Sequence, residues 1–414
     1  MKPADFEHRL QKYAELIVKV GLNVQPGQRL LINTSLETAP LVRLIAKCAY
    51  ENGCRFVGTI WNDAQLGLIR LQSAPRDSFE EFPTWEVTGM LEAAQHGDAY
   101  LWLGGADPDL LKDQDPDLIA LAQRTYFRQT RSFFELEFKN AMNWSVACSA
   151  VPGWAAKVFP ATSADQQMAR LWEAIFEICR VNQDNPVAAW QEHDRQLMAR
   201  RQYLDARRYR ALKYRGPSTD LTVGLADGHV WLGGGEENQA GTRFIANIPT
   251  EEVFSLPHKD HIDGVIKATK PLNLGGISVE DFSLTFEAGR VINFTAAQGE
   301  AILRKQIDTD EGSCSLGEVA LVPHHSPIAQ SGLLFYNGIF DENAASHLAL
   351  GKGYRFTMKD GVDLSEAEFA ARGGNNSDIH IDFMIGSDKI DIDGLNADGS
   401  AEPVMRQGEW AFDV

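Results

Sequence analysis

Up to about residue 150 the chain alternates short apolar runs with longer stretches whose apolar residues recur every three or four positions. That is the signature of strands separated by amphipathic helices. The pattern predicts a helix over Phe6 to Val20, the strand "RLLINTS", and a helix over Ala39 to Asn52 stopped by Gly53. The strand "RFVGTIWN", a helix over Trp85 to His96 with Gly97 after it, and the strand "AYLWLGG" come next. A helix over Pro116 to Gln123 and the strand-like runs "RTYFRQT" and "SVACSAV" complete the series. Five β-like runs spaced by helices predict a parallel five-stranded sheet covered on both faces. Two long helical patterns fill residues 164 to 214, and at "RGPSTDLTVGLADGHVWLGGG" glycine and proline punctuation and period-two alternation take over. The expected organisation is therefore an α/β N-terminal domain over 1–215, with trailing helices, and an α+β, mostly antiparallel C-terminal domain over 216–414. One helix, over about Asn343 to Leu350, is expected to interrupt the second domain.

One strand breaks the alternation rule on its polar side. In "GGNNSDIHIDFMIGSDKIDIDG", residues 373–394, Ile379, Ile381, Phe383 and Ile385 share one face while Asp378, His380, Asp382 and Met384 share the other. A spacing of two places His380 and Asp382 side by side, which suits either a solvated edge or a pair of metal ligands. In "DENAASHLALGKGY", Asp341 or Asn343 can cap a helix start. Glu342 and His347, five apart, lie about 140° apart on an ideal helix, so they share a site only if Glu342 belongs to the preceding loop. Tyr354, seven beyond His347, would return near the same azimuth.

Two further acidic positions stand in apolar settings. "NIPTEEVFSLPH" holds Glu251 and Glu252, and in "CSLGEVALVP" Glu318 is flanked by Leu316, Val319, Ala320 and Leu321. A carboxylate inside such a strand is costly unless it is paired or binds a cation. His258, His261, His324 and His325 sit in polar or proline-flanked stretches and read as surface residues. The remaining set is rich in oxygen, contains two imidazoles and has no thiolate. It exceeds what one catalytic zinc needs and suits two divalent ions, zinc, cobalt or manganese, sharing a carboxylate.

Composition narrows the field. The formal net charge of -18 disfavours nucleic acid as a partner and favours cations and amino groups. No run approaches the roughly 20 apolar residues that span a bilayer, and the N-terminus lacks the features of a signal peptide, so the expectation is a cytoplasmic protein with no membrane partner. Five scattered cysteines form no C-x-x-C pair and read as buried fillers. Phosphate-loop, dinucleotide, H-E-x-x-H and G-x-S-x-G motifs are all missing, which leaves nucleotide, single-zinc and serine chemistry unsupported.

Across nearly its whole length the chain resembles the thermophilic-type metalloaminopeptidase family. The resemblance is carried by "LIVKVGLNVQPGQ", "PGWAAKVFP", "NIPTEEVFSLPH", "DTDEGSCSLGEVALVP", "IFDENAASHLALGKGY" and "GGNNSDIHIDFMIGSDKIDIDG". It implies that Glu252, Glu318, Glu342, His347, His380 and Asp382 bind two divalent metals, with Glu318 bridging and acting in catalysis, and Glu252 chosen over Glu251. It further implies that Tyr354 stabilises a tetrahedral intermediate, that the substrates are peptides with a free N-terminus, and that the protein is a homodimer. A metal-dependent hydrolase of another amide, and a non-catalytic protein with a structural ion, are the rival expectations.

Overall fold

The computed structural model describes residues 3–274 and 277–414, and the chain divides into two compact units, 1–192 with 235–249 and 193–234 with 250–414. In the first, strands Phe56–Asn62, Arg29–Ser35, Ala99–Gly104, Trp144–Cys148 and Asn247–Ile248 lie side by side in that order, all parallel. The five-stranded parallel sheet is thus present, but one of its members is not the expected one. "RTYFRQT" is helical, part of a single helix Pro116–Phe138. Asp115 caps that helix by accepting from the backbone N–H groups of Asp117 and Leu118. It continues through the β-branched residues because Leu118, Thr125, Thr130, Phe133 and Glu137 bury one side, and the Thr130 hydroxyl donates to the Tyr126 carbonyl 2.7 Å away. The fifth strand is supplied by Asn247–Ile248, about a hundred residues further along.

In the second unit an eight-stranded antiparallel sheet runs in the order Arg290–Thr295, Ser283–Glu287, Pro257–Lys267, Thr219–Leu225, Ala211–Gly216, Asp391–Leu395, Ala401–Arg406, Glu409–Trp410. The helical pattern before it ends at Arg207, and residues from Ala211 onward are already strand. A four-stranded antiparallel sheet, Val253–Ser255, Leu316–Leu321, His347–Gly351 and His380–Met384, shares the same core. Its inward row, Val319, Leu348 and Phe383, is cross-paired in register and packs with Leu212, Val223, Ile262 and Ile392 of the larger sheet.

The expected helix over Asn343–Leu350 is not formed. Glu342–Ala344 makes one 3-10 turn and His347–Gly351 is a strand paired on both sides. Alanine and leucine favour a helix in isolation, but two ladders of backbone hydrogen bonds and burial of both faces override that preference. Close approach of backbones fixes two glycines here. A Cβ on Gly317 would stand 2.3 Å from the Lys352 carbonyl oxygen, and one on Gly351 (φ +98°) would stand 2.2 Å from that of Ile379.

Candidate metal centre

The face of the four-stranded sheet opposite the core carries the chemistry. Register sets Glu318, Ala349 and Asp382 in one row across three strands, with Ala320, His347 and Met384 in another and Gly351 opposite His380. Glu252 immediately precedes the strand Val253–Ser255, whose Val253 faces Leu321. Alternation therefore turns Glu252 to the same side as Glu318. Ala320, Ala349 and Gly351 form a floor of small residues, which leaves the volume above it to the longer polar side chains.

Two groups of donors result among the described residues: Glu252, Glu318 and His347, and Glu318, His380 and Asp382, each within 4.8 Å. Glu318 belongs to both. His347 Nε2 lies 3.3 Å from Glu318 Oε1 and 3.3 Å from Glu252 Oε2, while His380 Nε2 lies 3.9 Å from Glu318 Oε2 and 3.3 Å from Asp382 Oδ1. Both imidazoles are oriented from behind, since His347 Nδ1 donates to the Ala345 carbonyl at 3.2 Å and His380 Nδ1 to that of Lys352 at 2.7 Å. A carbonyl only accepts, so each Nδ1 carries a proton and each Nε2 is the nitrogen turned to the centre.

Glu342 stands on its 3-10 turn, hydrogen-bonded by the neighbouring Asn343 side-chain amide at 3.3 Å. Tyr354 follows the His347 strand through Lys352 and Gly353 rather than along a helix, and its ring is 4.6 Å from that of His380. Glu251 diverges from Glu252: its carboxylate lies 3.5 Å from His193 Nε2, away from both donor groups. His258 and His261 stack on each other at 3.8 Å, outside both groups. The sequence reading passed over the small-residue floor and the brace formed by Asn343. The only trace of the floor was the alternating Ala349 and Gly351 in "HLALG", with Ala320 two positions after Glu318.

The electrostatics are those of anions crowded together out of water. Burial, with Glu318 and Asp382 adding to it and His347 opposing, pushes the Glu252 carboxyl up to about 8. Burial, then Glu252 and Asp382, holds Glu342 well above the usual range. At His347 burial disfavours the charge, but Glu318, Glu252 and Asp382 outweigh it and raise the imidazole to about 10. At His380 burial is outweighed in the same way by Asp382 and Glu318, to about 9. For Asp382 burial is overcome by His380 and His347, and its carboxyl is lowered. Glu252 Oε2 and Asp382 Oδ1 are buried without a hydrogen-bond partner. Unsatisfied buried carboxylate oxygens, imidazole nitrogens turned towards them and crowded acidic groups that hold on to protons together fit divalent cations, which would displace those protons.

Comparison with known proteins agrees with this chemistry. The family described as "Thermophilic metalloprotease (M29)" matches residues 6–410. Aminopeptidase 2 of Geobacillus stearothermophilus is 48% identical over 409 residues, covering 99% of each chain. Aminopeptidase T of Thermus thermophilus is 43% identical over 405 residues, 98% of this chain and 99% of that one. The solved structure of wild-type AmpT from Thermus thermophilus superposes with a TM-score of 0.93 at 42% identity, covering 98% of this chain and all of that one. The chain belongs to the thermophilic metalloprotease (M29) family.

Proposed function

We propose that this metalloaminopeptidase removes residues one at a time from the free N-terminus of peptides, at a centre of two divalent cations held by Glu252, Glu318, Glu342, His347, His380 and Asp382. The observation that carries this reading is the position of Glu318, whose Oε1 faces His347 and whose Oε2 faces His380. A single carboxylate between two nitrogen donors is the arrangement a bridging ligand requires. Charge supports it as well, since four carboxylates with two neutral imidazoles balance two divalent ions. Zinc, cobalt and manganese all suit nitrogen and oxygen donors.

Divalent cations held by these residues would supply an activated water and polarise a carbonyl. The protein's own groups do the rest. Glu318 and the two histidines fix the reaction centre on a rigid sheet. Tyr354 keeps its proton, because burial first and then the charges of Glu318, Asp382, Glu342 and Glu252 hold its phenol well above the ordinary value. It therefore donates a hydrogen bond where negative charge develops on the substrate oxygen. A metal or an acidic side chain would hold the free α-amino group, which limits cleavage to the first peptide bond.

A homodimer of cytoplasmic location completes the reading. In the first unit the helix Ala64–Ser73 buries no residue, and Leu66 and Ile69 are 62% and 54% exposed, an apolar surface of the kind that a second copy covers. Five cysteines present as thiols rather than disulfides suit a reducing compartment. No helix among the described residues is long and apolar enough to cross a membrane.

The test is hydrolysis of an aminoacyl-amide by chelator-treated protein and by Glu318→Gln. Turnover should vanish on stripping, return with about two equivalents of zinc, cobalt or manganese, and be absent in the folded variant. Full activity of either preparation would overturn the proposal.

A further inference from the structure

Glu318, His347, His380 and Asp382 lie on paired strands, whereas Glu342 stands on a one-turn 3-10 segment and Glu252 just ahead of its strand, where no ladder of strand hydrogen bonds holds the backbone. The neighbouring Asn343 is fully buried and makes three hydrogen bonds. Its Oδ1 accepts from the Glu251 backbone N–H at 2.7 Å, and its Nδ2 donates to the Ile339 carbonyl at 3.0 Å and to Glu342 Oε1 at 3.3 Å. One side chain thus ties the Glu251–Glu252 peptide to the Glu342 carboxylate, across 92 positions of sequence between Glu251 and Asn343. The amide is also neutral. A cation there would draw Glu342 away from the centre, and an anion would add repulsion to a site already crowded with carboxylates.

We infer that Asn343 is a positioning residue that holds Glu342 and Glu252 at the spacing needed to share a divalent cation. The inference rests on the proposed role of Glu342 as a ligand and goes beyond it, by assigning that ligand's orientation to a residue that touches neither metal nor substrate. Partners that orient a ligand typically change metal affinity by about 10- to 100-fold when removed.

A double-mutant cycle read on zinc affinity tests it, using competition with a chromophoric chelator on full-length protein. Asn343→Ser, whose side chain is too short for these bonds, should weaken zinc at least 10-fold. In a Glu342→Ala background the same change should alter affinity less than about 2-fold, because the group being positioned is gone. Asn343→Asp gives a second variant close to the original shape, and keeps the acceptor for the Glu251 N–H. Its donor towards Glu342 becomes a repelling oxygen, so it too should lose zinc. Melts of the chelated proteins establish that each is folded. Retention of native affinity by either folded Asn343 variant, or an equal loss with and without Glu342, overturns the inference. If Glu342→Ala alone binds zinc normally, the ligand assignment falls and the inference falls with it; if Glu342→Ala binds poorly and the Asn343 variants bind well, only the inference falls.

Discussion

Replacing Glu252 with glutamine separates what the centre costs the fold from what it does for a cation. The Glu252 carboxyl is 7% exposed, its Oε2 has no hydrogen-bond partner, and burial pushes it from 4.5 up to about 8. Below about pH 4.5 it is protonated in the folded and unfolded chains alike and imposes no pH-dependent penalty. Between there and about pH 8 the unfolded chain releases a proton that the folded, metal-free chain retains, so stability falls as pH rises. Above about pH 8 the deficit is complete. A span of about 3.5 pH units at about 1.4 kcal/mol each sets a ceiling of about 5 kcal/mol, lowered by whatever proton rearrangement the neighbouring His347 allows. Glutamine has nearly the same shape and cannot ionise. Chelator-treated Glu252→Gln should therefore melt higher than the native protein at pH 9, by up to about 10 to 20 °C for a unit of about 200 residues. At pH 5 the gain should shrink to that of about 1 kcal/mol or less. With zinc added at pH 9 the order should invert, because Glu252 is a proposed ligand and an amide holds zinc far more weakly than a carboxylate. Differential scanning calorimetry at both pH values, with and without zinc, reads all of this. Equal gains at pH 5 and pH 9, or no gain at pH 9 without metal, would refute the reasoning.

Tyr354→Phe should keep the fold and metal content and lower kcat by about 100- to 1,000-fold with little change in KM, the loss expected for one oxyanion donor, measured by steady-state hydrolysis of an aminoacyl-amide. Gly317→Ala places a Cβ 2.3 Å and 2.4 Å from two carbonyl oxygens beside Glu318. It should destabilise by about 3 kcal/mol and reduce bound metal, read from denaturant unfolding and elemental analysis. In the first unit the buried Glu137, bonded by Trp102 Nε1 at 2.8 Å, is raised by burial to about 7. Glu137→Gln should stabilise by about 3 kcal/mol above pH 7 and by little near pH 4.5, a difference that urea titrations at the two pH values measure.

Much of the candidate centre was legible in the sequence because a strand's period is two. Alternation alone assigns His380 and Asp382 to one face, and the isolation of Glu318 among apolar neighbours marks it as a carboxylate needing a partner. Short segments were where local signals misled. "HLALG" has the composition of a helix and "RTYFRQT" that of a strand, yet the first is a strand and the second is helix. In each the local preference amounts to a few tenths of a kcal/mol per residue, less than the burial and hydrogen bonding supplied by neighbours distant in the chain.

The sequence determined which residues are chemically out of place and which face of an element each one shares. Tertiary structure decided where they meet. Glu252 reaches Glu318 because Val253 pairs with Leu321, and His347 reaches both because Ala320 sits opposite it. The two-residue strand that completes the parallel sheet, and the amide of Asn343 that joins segments 92 positions apart, leave no periodic trace. Periodicity reports the direction a side chain takes from its own backbone. Which partner waits in that direction is set by the register between strands, a property of long-range pairing that no window of neighbouring residues contains.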